Sequence, residues 1–322
     1  MNAKMPITLI AAGLLGVAGM SNAWASYPER PVTMIVAYSA GGGTDVAART
    51  LAPYIEEHLG QSITVLNKPG AGGEIGFTAL AQAEPDGYTF GFINIPNMLA
   101  IPIQREARYS MDDIDPVAQI VYDAGALSVR SDSEIDSLEE LVAEAKENPG
   151  TVTYGTTGIG SDDHLAVLSF ERKADIKLRH IPFPGAADLR AATLGGHITM
   201  ASMNMSESVD DMEAGNLRIL GQMAEERWES APEVPTFQEQ GYDVVMGSHR
   251  GIGAPADLPE DVFAALSSAV EKAVADPEFQ EKSLQQGLPI SYQGPAEFDA
   301  QLDMLNDELL ELWKDQPWAQ TN

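Results

Sequence analysis

Three segments of this chain repeat one local pattern: a short apolar run, a glycine-rich turn and the start of an amphipathic helix. The turns are the glycine-rich stretches at 41–43, 70–73 and 158–160, and each follows a run that contains β-branched residues. Alternating strands and helices predict an α/β fold, in which a parallel sheet carries helices on its faces. In open sheets of this class, ligands bind beyond the carboxyl ends of the strands, where these turns lie.

A glycine-rich turn before a helix directs free N–H groups and the positive end of the helix dipole at one point. That arrangement suits a carboxylate or a phosphate. The glycines at 41–43 lack the G-x-G-x-x-G spacing of a dinucleotide site, and the chain has no Gly-Lys-Ser/Thr of a P-loop. Each turn alone fits a simple packing role as well, but three of them at strand ends favour a binding site for a small anion.

Composition excludes several classes of function. Among 322 residues, Lys and Arg number 19 and Asp and Glu number 48, which gives a formal charge of −29. This charge argues against nucleic acid or an anionic membrane surface as partner. The absence of cysteine from the sequence excludes disulfides, thiolate metal sites and cysteine nucleophiles. The sequence has neither G-x-S-x-G nor H-E-x-x-H, so we expect no catalytic residues, no metal and no other cofactor.

The N-terminus has the features of a secretory signal. Lys4 precedes an apolar run at 7–20, and an A-x-A site follows at 23–25. The run is short for a membrane anchor, which is the alternative, and the small residues favour cleavage. We therefore predict a signal peptide over 1–25, removed before Ser26, and an exported protein. A chain without cysteine fits a periplasm better than an extracellular, disulfide-rich environment.

Four polar residues are candidates for contacts in a cleft. Asn94, Asn97 and Asn204 each follow a predicted strand, where they either contact a ligand or form turns. Arg250 can pair with a ligand carboxylate through two hydrogen bonds, or it can serve as a packing contact at a hinge. The sequence leaves both alternatives open.

The cluster Ser161, Asp162, Asp163 and His164 has the residue types of a hydrolase but the spacing of a helix start. Ser161 is predicted to cap the helix, and His164, three residues later, is predicted to be buried and hydrogen-bonded. The two acids fall in the first helical turn, where the dipole favours them. Asp45 is predicted to hold the first glycine turn, since an acid would repel an anionic ligand.

Taken in order, several motifs resemble those of the substrate-binding proteins of tripartite tricarboxylate transporters, the Bug family (Bordetella uptake gene products). The matching stretches are Gly41-Gly42-Gly43-Thr44-Asp45, Asn67-Lys68-Pro69-Gly70-Ala71-Gly72-Gly73, Pro85-Asp86-Gly87-Tyr88-Thr89, Gly158-Ile159-Gly160-Ser161, Pro235-Thr236-Phe237 and Gly253-Ala254-Pro255. They span nearly the whole of the chain that follows the predicted signal peptide.

The resemblance implies a two-lobed periplasmic binding protein of the type II-like Venus flytrap kind, with a mostly parallel sheet flanked by helices in each lobe. It places 26–122 and 236–322 in lobe 1 and 123–235 in lobe 2. It implies a monomer that captures a small carboxylate, such as a di- or tricarboxylate or a related organic acid, and delivers it to integral-membrane permease subunits. The alternatives are a secreted α/β hydrolase or isomerase acting on a small organic acid, and a ligand-sensing partner of a signalling receptor.

The resemblance also implies which residues bind the ligand. In lobe 1 two loops would grip one carboxylate, mainly through backbone N–H groups; they comprise Ser39, Gly41, Gly42, Gly43 and Thr44, and Gly70, Ala71, Gly72 and Gly73. In lobe 2 the implied residues are Thr157, Gly158, Gly160 and Ser161, together with Pro184, Gly185 and Ala186.

Overall fold

Strands and helices alternate along most of the chain. The computed structural model describes residues 27–315 and 317–318, so the predicted signal peptide and its cleavage site lie outside the described residues. The strands are β1 (Val32–Val36), β2 (Ile63–Asn67), β3 (Thr89–Ile95), β4 (Ile114–Arg130), β5 (Thr153–Thr156), β6 (Arg179–Pro182), β7 (Met200–Asn204), β8 (Leu217–Gln222), β9 (Gly247–Pro255) and β10 (Ile290–Gln293). The helices are α1 (Gly43–Leu59), α2 (Glu74–Ala81), α3 (Asn97–Gln104), α4 (Leu138–Glu147), α5 (Asp162–Ala174), α6 (Ala186–Leu194), α7 (Met205–Glu213), α8 (Glu260–Ala275), α9 (Pro277–Gln285) and α10 (Pro295–Asp315). Within residues 27–315 and 317–318, no helix has both the length and the apolar character needed to cross a membrane.

The strands form two mixed sheets, which confirms the predicted α/β class. In the first sheet β1 lies between β2 and β3, and all three are parallel. Strand β9 is antiparallel to both β3 and β4, and β10 pairs with β4. In the second sheet β5 is parallel to β6 and β7, whereas β4 is antiparallel to β7 and β8. Parallel pairing is therefore confined to the strand–helix repeats, and the strands next to the crossing between the sheets run antiparallel.

One long strand, β4, belongs to both sheets. Its first part, Ile114 to Ala124, pairs with β9, and its last part, from Gly125 onward, pairs with β7 and β8. The full length of β4 is not evident from the local pattern, because Pro116 and the acids before it interrupt the apolar run. The register of β4 shifts at Pro116, which allows this proline to sit within the ladder. The two halves of the molecule are thus joined by continuous backbone at β4.

Helices cover both faces of the first sheet. One face buries Leu51 of α1 with Val270 of α8, and the other buries Phe77 of α2 with Phe298 of α10. Leu165 of α5, a helix that belongs to the second half of the molecule, is buried in this latter cluster. The two halves therefore make an apolar contact with one another.

The second half has its own apolar core, which extends past the predicted lobe boundary. Phe237 is buried against Phe170 with ring centroids 5.1 Å apart, and Val244 lies in the same cluster. The strand that returns to the first sheet begins only at Gly247. Phe237 and Val244, which lie past the boundary at 236 that the resemblance implies, therefore pack in the core of the second half.

We expect Phe237→Ala to lower the free energy of unfolding by about 3–5 kcal/mol, since it empties a fully buried aromatic site. The matched control is Leu284→Ala, because Leu284 is 73% exposed, and its effect should stay within about 0.5 kcal/mol. Urea denaturation of both variants measures the difference. Equal, small losses would contradict the assignment of Phe237 to this core.

Candidate functional site: a cleft between the two halves

A cleft opens between the two halves of the molecule, and both halves line it. The lining comprises Tyr38, Ser39, Ala40, Gly42, Gly43, Thr44, Asn94 and Asn97 from the first half, Thr157, Asp162, Pro184, Gly185, Ala186, Ala187, Asp188, Asn204 and Glu207 from the second, and Ser248 and Arg250 from β9. Twelve of these nineteen residues belong to the set predicted from the sequence. Concave sites between two packed units are a common place for small-molecule ligands.

Helix α1 begins at the cleft without a side-chain cap. Gly42 occupies the N-cap position in an extended conformation, and among the described residues no side chain bonds to the first N–H groups of the helix. Asp45, in the first turn, instead accepts a hydrogen bond from the N–H of Gly41 at 2.9 Å. Arg49 and Asn67 hold the same carboxylate at 3.0 and 2.8 Å. The predicted role of Asp45 is confirmed, and the N–H groups at the start of α1 are left to receive an anion.

At Gly43 the start of α1 lies close to side chains from both β9 and α7. A Cβ atom at this position would lie 2.8 Å from Nη1 of Arg250 and 3.0 Å from Oε1 of Glu207. Any side chain would therefore push the acid of α7 and the arginine of β9 away from the start of α1. Glycine is required here by space rather than by backbone conformation.

The second predicted loop of the first half, Gly70 to Gly73, lies outside the lining of the cleft. It forms a short 3-10 turn over Ala71–Gly73. The hydroxyl of Tyr38, a cleft residue, donates to the carbonyl oxygen of Gly72 at 3.5 Å. The loop is thus next to a cleft residue. Gly41 also lies outside the lining, so direct ligand contacts from these glycines remain predictions.

The loop before α5 contacts the first half of the molecule. Thr157 lines the cleft, whereas Gly158, Gly160 and Ser161 lie outside its lining. A Cβ at Gly160 would lie 2.9 Å from Oε1 of Gln104 and 3.2 Å from Nε1 of Trp318, both of which belong to the first half. Because Gly160 has no side chain, the loop before α5 can pack closely against Gln104 and Trp318 of the first half.

The start of α5 has the predicted helix-cap arrangement. The Ser161 hydroxyl accepts a hydrogen bond from the N–H of His164 at 3.2 Å, and Nδ1 of His164 accepts from the N–H of Gly160 at 3.1 Å. Burial lowers the pKa of His164 to about 3, with His180, stacked at 4.0 Å, adding to the effect. The predicted role of His164 as a buried helix-start residue is confirmed. Within residues 27–315 and 317–318, no group of His, Cys, Asp or Glu could hold a metal ion.

All three predicted asparagines line the cleft. Asn94 lies inside β3 rather than in a following loop, and its Nδ2 donates to the Thr44 hydroxyl at 2.8 Å. Asn97 begins α3. Asn204 ends β7 and caps α7, in a capping box with Glu207.

Arg250 is buried and bonds to several elements at once. Its Nη1 lies 3.1 Å from Oδ2 of Asp123 in β4, and its Nη2 donates to Oδ1 of Asn204 at 2.8 Å. Nη2 also lies 3.9 Å from Oε1 of Glu207 in α7. The guanidinium therefore holds β9, β4 and α7 together, as its packing alternative predicts. Contact with a ligand remains a prediction.

Four carboxyl groups surround this single guanidinium. Burial raises the pKa of Asp123, Asp162, Asp163 and Glu207, while Arg250 lowers that of Asp123. For Asp163 the increase is large, and the neighbouring Asp162 adds to it. The helix dipoles of α5 and α7 stabilise the ionised forms of the acids in their first turns.

None of these acids was predicted as a site residue: Asp162 and Asp163 were interpreted only as helix-start acids, and Glu207 and Asp123 were not singled out. The spacing from Asn204 to Glu207 matches a capping box, a signal that could have placed Glu207 beside the cleft. Asp123 carries no local signal, because its partner lies far along the chain.

Comparison with known proteins identifies the family. The sequence model of one protein family, the tripartite tricarboxylate transporter family receptor, matches residues 47–304 of this chain. A UPF0065 protein of Cupriavidus necator is 35% identical over 279 residues, which cover 84% of this chain and 83% of that protein. The chain belongs to the tripartite tricarboxylate transporter receptor family. The resemblance to Bug proteins noted in the sequence is thereby confirmed.

Solved structures of the family share the architecture. Periplasmic binding protein BugD superposes with a TM-score of 0.83 at 29% identity and covers 90% of this chain and 98% of its own. An R. palustris protein solved with adipate gives 0.84 at 26% identity, covering 89% and 97%. The fold is the two-lobed fold of these binding proteins. The family and these structural neighbours are solute-binding proteins and not enzymes. Members of the family are the receptors of tripartite transporters, and they bind small carboxylates.

We expect the buried carboxyl groups to make the protein less stable as pH rises. A carboxyl group whose pKa is raised by folding binds its proton more tightly in the folded state. Its contribution to stability is therefore present at low pH. That contribution is lost as the pH rises from about 4, the pKa of the group in the unfolded chain, through its higher pKa in the folded protein.

Asp163→Asn should remove part of this dependence, so that the free energy of unfolding falls less steeply as pH rises above about 4. Asp210→Asn, at an exposed position, removes the same formal charge as a control. Urea denaturation at several pH values measures both slopes, and equal slopes in the two variants would contradict the account.

Proposed function

We propose that this chain is a periplasmic solute-binding protein that captures a small carboxylate in the cleft between its lobes. It delivers that ligand to the membrane subunits of a tripartite tricarboxylate-type transporter. The observation that carries the proposal is the uncapped N-terminus of α1, which opens on a cleft lined by both lobes. Free N–H groups and the helix dipole attract a carboxylate there without a dedicated basic side chain.

A related solved structure supports the ligand class. The R. palustris protein solved with adipate holds a small organic acid on the same fold. The overall charge of −29 does not oppose such a ligand, because salt screens distant charges over about 8–10 Å while the N–H groups act in direct contact.

The lobes are the proposed moving parts. We assign residues up to Tyr122, and again from Gly247, to lobe 1, and the intervening chain to lobe 2. The boundary follows from β4 and β9, the neighbouring strands at the crossing. Gly247 suits this crossing, since a Cβ there would lie 2.4 Å from the carbonyl oxygen of Asp123. A ligand that contacts both lobes favours the closed arrangement by the difference between its affinities for the closed and open forms.

Export and delivery complete the proposal. The predicted signal peptide supports a periplasmic location, as do the names of the solved relatives. One chain supplies both walls of the cleft, so a monomer suffices for binding. The membrane subunits would recognise the closed form, which brings both lobes into one surface.

A thermal-shift screen over mono-, di- and tricarboxylates tests the proposed function. A ligand present at about 100 times its dissociation constant should add roughly 2.7 kcal/mol to the free energy of unfolding. The carboxylate that stabilises the protein most should bind at least tenfold more weakly to Gly43→Ala, which is a loss of about 1.4 kcal/mol in the free energy of binding. The reason is that the new Cβ collides with Arg250 and Glu207.

Gly294→Ala is the matched control, because a Cβ at this position meets only the Tyr292 hydroxyl at 4.0 Å, outside the cleft. Its affinity, measured by isothermal titration, should equal that of the wild type. Stabilisation by no carboxylate in the screen would overturn the proposed function. If Gly43→Ala bound the ligand with wild-type affinity, the result would show that the ligand does not bind at the start of α1.

A further inference from the structure

Two side chains of opposite charge converge on the start of α1. A Cβ atom at Gly43 would lie 2.8 Å from Nη1 of Arg250 and 3.0 Å from Oε1 of Glu207. Both side chains also line the cleft. A ligand carboxylate that accepts hydrogen bonds from the N–H groups of Gly43 and Thr44 therefore comes within a few ångströms of a guanidinium and of a carboxyl group.

Arg250 has hydrogen-bond donors available at this point. The residue is 2% exposed, and its Nε and Nη1 have no hydrogen-bond acceptor among the described residues. Nη1 lies 3.1 Å from Oδ2 of Asp123 as an ion pair, without the geometry of a hydrogen bond. Buried donors without an acceptor cost free energy that a ligand oxygen can restore. Arg250 therefore favours an anion beside Gly43.

Glu207 is the acid that the same anion meets. Its Oε2 accepts a hydrogen bond from the N–H of Asn204 at 3.4 Å, in the capping box of α7. Its Oε1, beside Gly43, lies 3.9 Å from Nη2 of Arg250, which is beyond hydrogen-bond distance. The guanidinium therefore makes no hydrogen bond to the carboxyl oxygen next to the proposed ligand position.

The charges around Glu207 are mostly negative. Burial raises the pKa of Glu207, Asp123 and Asp162 add to the increase, and Arg250 opposes it. An anion bound at the start of α1 adds one more negative charge to this group. The charged groups on the elements near Glu207 include Arg250 of β9, Asp123 of β4, Asp162 and Asp163 of α5, Asp188 of α6, Asp210 of α7, the Asp45–Arg49 pair of α1 and the Arg190–Asp211 pair between α6 and α7.

Two carboxyl groups a few ångströms apart do not both remain ionised, and a shared proton turns their repulsion into a hydrogen bond. We propose that Glu207 binds the ligand as a protonated acid, and that its carboxyl group donates a hydrogen bond to the ligand carboxylate at the start of α1. Arg250 donates to the same carboxylate while it stays paired with Asp123. The inference rests on the proposed function and adds to it a binding residue and a proton.

Capture of the ligand then takes up one proton from the solvent, and release returns that proton. Wherever Glu207 is ionised in the free protein, the affinity should fall as pH rises, by up to about tenfold for each pH unit. Carboxylic acids are ionised above about pH 7, so the ligand itself contributes no such dependence there.

Calorimetric titration of the wild type counts the proton directly. The probes are succinate, malate and adipate, together with the tightest binder of the carboxylate screen, each titrated at about pH 8 in Tris and in HEPES, whose ionisation enthalpies differ. The difference between the two observed enthalpies should correspond to about half to one proton taken up per ligand. From about pH 7 to about pH 9 the affinity should fall at least tenfold.

Glu207→Gln isolates the proposed contact. Glutamine preserves the capping box with Asn204, so helix α7 should form normally, and thermal unfolding checks this. The amide N–H donates to the ligand without a titratable proton, so proton uptake and pH dependence should both disappear. At about pH 9 the variant should bind at least tenfold more tightly than the wild type. Glu226→Gln, exposed and outside the cleft lining, removes the same formal charge and should keep the proton uptake.

The outcomes separate the inference from the proposed function. If a carboxylate binds to the wild type without proton uptake, or if Glu207→Gln keeps the uptake, the inference is overturned and carboxylate binding stands. If Glu207→Gln does not fold, the wild-type proton count decides by itself. If no carboxylate binds in these titrations or in the wider screen, the proposed function fails, and the inference fails with it.

Discussion

The ion pair between Arg250 and Asp123 is the contact on which the geometry of the cleft depends. It is buried where β4 and β9 lie side by side at the crossing between the lobes. Removal of one member of such a pair leaves an uncompensated buried charge and costs about 3–5 kcal/mol. Asn204 extends the pair to the end of β7, where α7 begins. Through these bonds the wall that lobe 2 presents to the ligand is fixed relative to the strands of lobe 1.

Local patterns in the sequence predicted much of the structure. The short apolar runs before the first two glycine turns form strands β1 and β2, and Ser161 caps α5 as its spacing predicts. These features depend on residues close together in the chain. The first glycine turn and the segment at Pro184 both line the cleft for the same reason, since each joins the end of a strand to a helix.

Features that depend on distant residues escaped prediction. Asp123 and Arg250 come into contact only because the antiparallel strands β4 and β9 pair. No sequence pattern near either residue indicates this pairing. The 17 residues of β4 show no continuous strand pattern, because Pro116 and the acids before it interrupt the apolar run. Phe237 packs in the apolar core of the second half, although the resemblance to the family places it in lobe 1. In each case contacts between residues far apart in the sequence determine the structure, and local sequence patterns do not reveal those contacts.

A crystal structure of the complex tests the central claim most directly, namely that backbone at the start of α1 binds the ligand carboxylate. The protein should be crystallised with the acid that stabilises it most. The account predicts carboxylate oxygens within about 2.7–3.2 Å of the N–H groups of Gly43 and Thr44, with Arg250 still paired to Asp123. A carboxylate bound instead by the Arg250 guanidinium, with the start of α1 left free, would contradict it.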